Sequence, residues 1–326
     1  MRILVTGAAG FIGSHLCEHL TAIGHEVRGL DAFTPYYAPE LKRANAATLA
    51  EKGVPVSTLD LASDDLGPAI AGCDVIYHLA AQPGLSPKAT FDSYMRDNVL
   101  ATHRLVESAL RATTPPIFIN IATSSVYGAD ATGDETSEPR PTSYYGVTKL
   151  AAEQLVLAAG RSRGLRACSF RLYSVYGPRE RPDKLFPTLI RSILADEPFP
   201  LFEGSERHKR SYTFVDDAVA GLSLALENLQ ACTGQLINIG NDASITTGQA
   251  IEIVEAILGR RAHIDRQPHR AGDQDRTHAN IAKARRLLGY QPANTPHHGL
   301  ARTVAWCRHN PELLRLPAAA VRQVAV

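Results

Sequence analysis

A Gly-x-x-Gly-x-x-Gly motif at residues 7–13 constrains the fold of this chain more than any other feature. It lies between an apolar run at 2–6 and an amphipathic stretch at about 11–22, the strand–turn–helix order in which such a motif binds dinucleotides. The glycines permit a tight turn, a close approach to a pyrophosphate and close helix packing, and the helix N-terminus supplies N–H donors. Glycines that serve packing alone are the alternative. The residues predicted to contact a dinucleotide are Gly7, Gly10, Phe11, Ile12 and Gly13.

Short apolar runs alternate with helical patterns through the first half of the chain. The runs predicted to be buried strands lie at 2–6, 26–30, 54–59, 73–79, 116–121 and 165–170, and the longer helices lie near 11–22, 93–111 and 142–160. Continuous apolar strands alternating with helices, joined by right-handed crossovers, predict an α/β fold with a doubly wound parallel sheet. After about residue 172 prolines and aromatic residues become denser, which indicates a smaller C-terminal domain interleaved with the first.

The predicted domain boundaries follow this change in texture. The first domain comprises residues 1–172 and is rejoined by 211–240, where apolar strand and helix patterns return. Residues 173–210 and 241–316 form the second domain, and residues 317–326 form a small apolar tail. A chain of 326 residues is long enough for two such domains.

Charge and cysteine usage argue against several function classes. The formal net charge of +1 leaves no global basic field for nucleic acid or an anionic membrane, and no apolar run approaches the roughly 20 residues that span a bilayer. The five cysteines are scattered without a CxxC pair and the twelve histidines show no ligand spacing, so no metal site is predicted. The opening Met-Arg-Ile-Leu-Val-Thr-Gly reads as a strand rather than a signal peptide, which favours a cytoplasmic protein with reduced thiols.

An acidic residue at the end of the second predicted strand selects among cofactors. Asp31 can accept both hydroxyls of a ribose and would repel a 2′-phosphate, which favours NAD over NADP. A helix cap at the strand end is the alternative use of this carboxylate. Further residues predicted to line the cofactor site, because they follow the third and fourth strands, are Asp60, Leu61, Leu79, Ala80 and Ala81.

Tyr145 and Lys149 are spaced so that both face one side of a helix. A nearby ammonium and a positive nicotinamide ring would each favour the phenolate and lower the pKa of a tyrosine, which is ordinarily about 10. Thr123, in the turn after the fifth strand, is placed to hydrogen-bond a reacting hydroxyl and relay its proton. The alternatives are a solvated helix face for the pair and an ordinary Ser/Thr-rich turn for Thr123.

The ordered set of motifs resembles the extended short-chain dehydrogenase/reductase superfamily, in its nucleotide-sugar epimerase and dehydratase branch. Its marks are the glycine motif, HLAA at 78–81, TSSVYG at 123–128, YxxxK at 145–149, YGP at 176–178 and RSYTFVDD at 210–217. The resemblance implies an NAD-binding Rossmann domain, with Asn98 and the Tyr145–Lys149 pair at the cofactor, and a smaller domain that binds a nucleoside diphosphate sugar. It also implies a homodimer formed through the helices near 93–111 and 142–160.

Two segments narrow the resemblance within this branch. Dehydratases and decarboxylases of the family usually carry an acid where this chain has Ser125, which favours epimerisation. Residues 173–183 resemble UDP-glucuronate 4-epimerases, in which the hydroxyl at the position of Ser174 and the arginine at the position of Arg181 help hold the sugar carboxylate. A surface loop arginine is the alternative for Arg181. Residues 85–88 depart from that subfamily, because Leu-Ser-Pro-Lys stands where V-R-x-S is usual.

The family resemblance also predicts the rest of the substrate site and the activity. The remaining substrate-binding residues that it implies are Ser124, Ser125, Phe186, Arg210, Arg270 and Asp273. Structural roles for Arg210 and Arg270, and core packing for Phe186, are the alternatives. The implied activity is NAD-dependent 4-epimerisation of UDP-glucuronate to UDP-galacturonate through a transient 4-keto sugar. Alternative functions are a 4-epimerase of a neutral UDP- or dTDP-hexose, a nucleotide-sugar decarboxylase or dehydratase, and a non-catalytic NAD(H)-sensing protein.

Overall fold

The computed structural model describes residues 1–84, 89–269 and 276–315. The strands are β1 (Arg2–Thr6), β2 (Glu26–Asp31), β3 (Val56–Thr58), β4 (Val75–His78), β5 (Ile117–Thr123), β6 (Asp130–Ala131), β7 (Ala167–Leu172), β8 (Val175–Tyr176), β9 (Pro198–Phe202), β10 (Lys209–Arg210), β11 (Thr213–Phe214), β12 (Leu236–Ile239), β13 (Ile245–Thr246), β14 (His263–Gln267) and β15 (Arg276–Thr277). Predictions that concern residues 85–88, Arg270, Asp273 and the tail at 317–326 lie outside the described residues.

The helices connect these strands and cover the sheets. They are α1 (Phe11–Ala22), α2 (Pro39–Glu51), α3 (Gly67–Ile70), α4 (Phe91–Tyr94), α5 (Ala101–Arg111), α6 (Tyr144–Arg163), α7 (Leu185–Ala195), α8 (Val215–Glu227), α9 (Leu229–Cys232), α10 (Thr247–Leu258), α11 (Ala282–Leu288), α12 (Pro296–His309) and α13 (Pro311–Leu314). A π-helix spans Met95–Leu100 between α4 and α5, and 3-10 helices span Ser124–Tyr127 and Ser205–Arg207.

Seven strands form the central sheet, in the order β3-β2-β1-β4-β5-β7-β12. Each neighbouring pair in this sheet is parallel. The chain order turns back between β1 and β4, and in doubly wound sheets the crevice beyond the carboxyl ends of the strands at such a point holds the ligand. The predicted α/β fold with a doubly wound parallel sheet is confirmed.

Alternate side chains of the central strands enter two different cores, as the two-residue period of a strand requires. Val5 of β1 belongs to a core that contains Leu16 of α1 and Leu222 of α8. Leu4, its neighbour along β1, belongs to a second core with Leu105 of α5. Helices therefore cover both faces of the sheet, which explains why its strands are continuous apolar runs rather than alternating ones.

The part of the chain after β7 contributes one strand to the central sheet and all but one strand of three small sheets. Strand β12 pairs with β7 from Leu236↔Ser169 to Ile239↔Leu172. Strands β13, β10, β15 and β6 form a four-stranded sheet, while β11 with β8 and β14 with β9 form two-stranded sheets. The domain boundaries given above stay a prediction.

Glycine is required in the turn that joins β1 to α1. Gly7 has a φ of +70°, and a Cβ on it would lie 2.8 Å from the backbone nitrogen of Ala80. A Cβ on Gly13 would lie 2.1 Å from the carbonyl oxygen of Gly7. The end of β4 and the first turn of α1 thus both touch the backbone of this turn, which no larger residue would allow.

Two elements differ from the predicted ones. Strand β5 extends to Thr123 because its pairing with β7 continues as far as Thr123↔Leu172. The helix predicted near 93–111 is interrupted by the π-helix, where the Thr102 hydroxyl donates to the carbonyl of Asn98 at 2.6 Å. A hydrophobic period cannot reveal a single wide turn, because the pattern on either side of it stays helical.

The described residues contain neither a candidate membrane-spanning helix nor a candidate metal site. Within 1–84, 89–269 and 276–315, no helix has the length and apolar character needed to cross a membrane. The same ranges contain no group of three or more His, Cys, Asp or Glu side chains placed to hold a metal ion.

Candidate active site

A cavity of about 730 Å³ lies beyond the carboxyl ends of β1, β4 and β5. A cavity of this size can enclose most of a cofactor or a drug-sized ligand. The predicted residues that line it are Gly7, Gly10, Phe11, Ile12, Gly13, Asp31, Asp60, Leu61, Leu79, Ala80, Ala81, Thr123, Ser124, Ser125, Tyr145, Lys149, Ser174, Arg181, Phe186 and Arg210. One cavity therefore joins the predicted cofactor residues to the predicted substrate residues.

The glycine turn and the start of α1 fit a pyrophosphate. Gly10 is the N-cap residue of α1 and provides no side-chain hydrogen bond to the first turn. The first amides of a helix have no acceptor within the helix, so they can donate to phosphate oxygens. Gly7 and Gly10 line the cavity and have no side chain that could project into it. These observations match the cradle that a dinucleotide needs.

Asp31 lies at the same end of the cavity and is buried. Its Oδ1 accepts from the backbone N–H of Phe33 at 2.8 Å and from Lys42 Nζ at 3.2 Å. A carboxylate has about four acceptor positions, so it can still bind the hydroxyls of a ribose. Sequence reasoning missed Lys42, because a lysine on α2 gives no sign that it folds back onto the end of β2.

Asp60 and Asn98 already have protein partners. Asp60 is paired with Arg96 at 2.5 Å, and its Oδ1 accepts from the N–H of Ala62 at 2.9 Å. Asn98 is not among the residues that line the cavity. Its amide accepts from Gln82 N at 2.7 Å and donates to Thr148 Oγ1 at 3.0 Å, so it joins the loop after β4 to helix α6.

Helix α6 brings Tyr145 and Lys149 to the end of β5. The helix starts after Ser143, whose side chain accepts from Gly146 N at 3.1 Å. A Cβ on Gly146 would lie 2.8 Å from the carbonyl oxygen of Ser125, so glycine here allows the helix to approach the turn that carries the hydroxyl groups. Lys149 Nζ donates to the carbonyl of Ile121 at 2.5 Å.

Burial dominates the protonation of both groups. Burial raises the pKa of Tyr145, while a hydrogen bond with Thr123 and the positive charge of Arg181 act in the opposite direction. Burial lowers the pKa of Lys149 to about 8, although the negative charge of Glu153 opposes this change. The sequence led us to expect that Lys149 and a nicotinamide ring together lower the pKa of Tyr145. In the protein alone this pKa is raised, because loss of solvation outweighs the neighbouring charges, and the effect of the nicotinamide charge stays a prediction.

Arg181 is a buried member of the cavity wall. Its residue surface is 7% exposed, which excludes a surface loop arginine. It donates to the carbonyl of Pro83 at 3.3 Å and to Asp183 Oδ2 at 2.9 Å, and its guanidinium carbon lies 5.8 Å from the centre of the Tyr37 ring. Its Nε has no partner among the described residues. An arginine fork of this kind can bind a carboxylate in two places.

Ser174, between β7 and β8, is held in an unusual backbone conformation. Its φ is +32°, which side-chain-bearing residues rarely adopt. Its carbonyl accepts from the N–H of Thr213, the first residue of β11, at 3.2 Å. Such conformations persist where the surrounding structure fixes them, and they concentrate at ligand sites.

Glu180 and Lys184 also line the cavity and were missed by sequence reasoning. Burial raises the pKa of Glu180 to about 8 against the charges of Lys184 and Arg181. Its Oε2 is buried without a partner among the described residues. Both residues stand within three positions of Arg181: Glu180 lies inside the segment 173–183 that carried the family resemblance, and Lys184 directly follows it.

The opposite end of the cavity is aromatic. Phe186 of α7 is buried, with its ring centre 5.0 Å from that of Tyr176 and 5.0 Å from that of Tyr212. Arg210 of β10 lines the cavity there, while β10 pairs with β13 through Arg210↔Ile245. Phe186 thus serves core packing as well as the cavity wall, which agrees with the alternative noted for it.

Comparison with known proteins finds relatives over nearly the whole chain. The model of the NAD dependent epimerase/dehydratase family matches residues 3–240. A Bacillus subtilis protein described as an uncharacterised UDP-glucose epimerase is 38% identical over 314 residues, which cover 94% of this chain and 98% of that protein. UDP-glucuronate 4-epimerase 6 of Arabidopsis thaliana is 33% identical over 331 residues, which cover 94% of this chain and 71% of that protein. The crystal structure of UDP-glucuronic acid 4-epimerase from Bacillus cereus, in complex with UDP-glucuronic acid and NAD, has a TM-score of 0.90 and 35% sequence identity, and covers 95% of this chain and 99% of that chain.

Proposed function

The chain belongs to the NAD-dependent epimerase/dehydratase family, and from this premise we propose that it interconverts UDP-glucuronate and UDP-galacturonate by NAD-dependent 4-epimerisation. The observation that carries the choice of substrate is Arg181. Its guanidinium is buried in the same cavity as Tyr145, and its charge acts on the Tyr145 phenol. A uronate differs from a neutral hexose by one carboxylate, and a buried arginine beside the reacting hydroxyl is the group that would select for it.

Proton transfer is assigned to three residues around the carboxyl end of β5. Tyr145, as the phenolate that the positive nicotinamide of bound NAD would favour, accepts the proton of the sugar 4-hydroxyl and later returns it. Thr123, whose hydroxyl donates to Ser125 Oγ at 3.2 Å and acts on the Tyr145 phenol, is assigned to relay the proton. Lys149, fixed by the carbonyl of Ile121, supplies positive charge on the same helix face. NAD, when bound in the glycine cradle beside Asp31, exchanges a hydride with C4 of the sugar, so the net reaction consumes no oxidant.

The carboxylate has to be restrained as well as recognised. Oxidation at C4 gives a β-keto acid. It loses CO2 when the bond from C5 to the carboxylate carbon aligns with the π orbitals of the C4 carbonyl. Arg181 and Ser174 are assigned to hold the carboxylate out of that alignment. The turn at 124–128 offers the hydroxyls of Ser124 and Ser125 and no acid, which supports epimerisation over dehydration or decarboxylation.

A 4-epimerase of a neutral UDP-hexose is the second candidate. It is favoured by the Bacillus subtilis relative, which is described as a UDP-glucose epimerase. The two candidates differ in what they require of Arg181, because a neutral hexose offers that guanidinium no charge. A non-catalytic NAD(H)-sensing role is disfavoured, since sensing alone requires neither Tyr145 nor Thr123 at the cavity wall.

A homodimer through α4, α5 and α6 is part of the proposal. Tyr144 is 61% exposed and its ring lies 5.1 Å from that of Phe91, which is also exposed. Val147, Met95 and Leu100 add exposed apolar surface on the same helices and the intervening π-helix. Contiguous exposed apolar surface of this kind marks interaction sites. Light scattering that gives a monomer mass at micromolar concentration would remove this part of the proposal.

The domain division and the location of the protein are also proposed. Pairing of β12 with β7 supports the return of residues 211–240 to the NAD-binding domain, with 173–210 and 241–316 binding the nucleotide sugar. The five cysteines are free thiols, which supports a reducing cytoplasmic compartment. Limited proteolysis tests the domain boundaries, and cell fractionation tests the location.

The direct test is to incubate the purified protein with UDP-glucuronate, without added NAD, and to follow the sugar by NMR. Formation of UDP-galacturonate supports the epimerase, its acidic substrate and a retained cofactor together. A UDP-pentose product would mean decarboxylation. Turnover of UDP-glucose but not UDP-glucuronate would establish the neutral-hexose alternative and remove the assigned role of Arg181.

A further inference from the structure

The loop at 177–184, which carries Arg181, is attached to the helix that follows the glycine turn. Arg179 Nη2 forms an ion pair with Glu18 of α1 at 2.7 Å, and Arg179 Nη1 donates to Ser14 Oγ at 3.2 Å. The Arg179 and Glu18 side chains are 17% and 19% exposed, so the pair is largely shielded from water. Lys52 Nζ lies 2.9 Å from the other carboxylate oxygen of Glu18.

Two side chains of α1, Ser14 and Glu18, are placed to hold the 177–184 loop. Ser14 and Glu18 are four residues apart and lie on one helix face. Lys52 and Arg179 lower the pKa of Glu18, although burial alone would raise it. The carboxylate is therefore charged at neutral pH, when the Arg179 guanidinium is charged too.

The backbone of Arg179 shows that this contact is imposed on the loop. Its φ is +67°, in the left-handed region that residues with a Cβ rarely adopt. A non-glycine residue persists in this region when surrounding interactions fix it. The ion pair and hydrogen bond to α1 are interactions of that kind.

Because Arg179 and Arg181 are only two residues apart, a contact that fixes Arg179 on α1 also limits the position of Arg181. Backbone hydrogen bonds close it from Glu180 N to Gly177 O at 3.2 Å and from Lys184 N to Arg181 O at 3.0 Å. Arg181 follows Arg179 by two residues and contacts the carbonyl of Pro83, which lies after β4. One face of the loop is thus held on α1, while its other side forms the cavity wall.

We propose that Arg179 is a positioning residue for substrate selection: it fixes the 177–184 loop on α1 and so places the Arg181 guanidinium against the carboxylate of the sugar. This inference rests on the proposed function, because it assigns Arg181 to a uronate. Arg179 itself is not among the residues that line the cavity. Its loss should therefore change how well a carboxylate is recognised and leave the chemistry at Tyr145 in place.

The test compares binding of two ligands that differ by the carboxylate. All variants are made in a Tyr145→Phe background, which stops turnover, and are titrated calorimetrically with UDP-glucuronate and with UDP-glucose. Arg179→Gly removes the guanidinium and suits the backbone at φ +67°. Glu18→Gln removes the partner charge. Asp196→Gly is the matched control, because Asp196 also has a positive φ of +59° and pairs with Arg260 at 3.4 Å, away from the cavity.

Arg179→Gly should weaken UDP-glucuronate binding about tenfold, and Glu18→Gln should weaken it less, because that variant leaves the hydrogen bond from Arg179 to Ser14. The double variant should be no weaker than Arg179→Gly alone, since Glu18 then has no Arg179 partner left to lose. The Kd of UDP-glucose should change less than about twofold in these variants, and both ligands should be unaffected by Asp196→Gly. Equal weakening of both ligands, or additive effects, would overturn the inference.

The outcome also separates this inference from the proposed function. If the Tyr145→Phe parent binds UDP-glucuronate more tightly than UDP-glucose and Arg179→Gly does not reduce that preference, the positioning role alone is lost. If the parent itself shows no preference, the assignment of Arg181 to a carboxylate fails, and the role of Arg179 fails with it.

Discussion

Replacement of Arg181 by methionine is the sharpest test of the substrate assignment. Methionine keeps apolar bulk beside Tyr37 but removes the charge and both hydrogen bonds, to Pro83 and to Asp183. Asp183 is 35% exposed, so water can solvate it and the free energy of unfolding should change little. The main loss is the charge-assisted contact with the sugar carboxylate, which is worth about 1.5–3 kcal/mol. That loss corresponds to a fall in kcat/KM of roughly 10- to 150-fold for UDP-glucuronate.

The assay is initial-rate NMR or chromatography with UDP-glucuronate and, separately, UDP-glucose. The methionine variant should lose more kcat/KM on the uronate than on the hexose, because the hexose loses only the support that the Arg181 charge gives to the Tyr145 phenolate. It should also release more UDP-pentose, because the carboxylate is no longer held out of alignment with the 4-keto group. Arg260→Met is the control, since that surface arginine pairs with Asp196 and does not line the cavity. Undiminished epimerisation of UDP-glucuronate by the Arg181 variant would refute the reasoning.

Three further outcomes are expected. Tyr145→Phe should lower kcat by about 10²–10⁴-fold while NAD stays bound, because the phenol contributes proton transfer and the glycine cradle is untouched; NAD released on denaturation measures the second part. Burial lowers the pKa of Lys149 to about 8, so its ammonium is lost as pH rises through that value and kcat should fall above it. The unfolded chain keeps that proton up to about 10.5, so the buried ammonium destabilises the fold below pH 8 and this cost is relieved as pH rises between the two values; a comparison of melting temperatures with Lys149→Met tests this. Glu153→Gln should cost about 3–5 kcal/mol of unfolding free energy, because Glu153 and Arg171 form an ion pair at 2.6 Å with side chains 0% and 1% exposed, and should move the Lys149 inflection to lower pH in the rate profile.

Local patterns were sufficient to predict most of the fold. The helix expected at about 11–22 is α1, and the six apolar runs expected to be strands all belong to the central sheet. These predictions succeed because apolar period and glycine placement are determined by neighbours close in the chain. The π-helix at Met95–Leu100 was not predictable in this way, since the hydrogen bonds of its Asn98 join it to Gln82 and Thr148, which are far away in sequence.

The residues of the candidate site likewise differ in whether a local motif or only the folded structure reveals them. Tyr145, predicted from its spacing to Lys149, and Arg181, implied by the family resemblance, both line the cavity, and their roles stay predictions. Lys42 against Asp31, and Arg179 against Glu18, were not predicted, because each pair joins two elements that only the folded sheet brings together. The raised pKa of Tyr145 in the protein without cofactor was not predictable for a related reason: spacing indicates which charges are near, but the depth of burial that outweighs them is a property of the whole fold.

Arg181 and Tyr145, which line the same cavity, are coupled through charge. Arg181 is one of two groups that oppose the effect of burial on the pKa of Tyr145, and the other is the hydrogen bond with Thr123. A uronate bound to Arg181 compensates its positive charge, so a larger share of the support for the phenolate then falls to Thr123. A neutral hexose leaves the Arg181 charge uncompensated and needs Thr123 less. Under the proposed function Arg181 takes part in both substrate selection and proton transfer, and the dependence of kcat on Thr123 should be greater for the uronate than for the hexose.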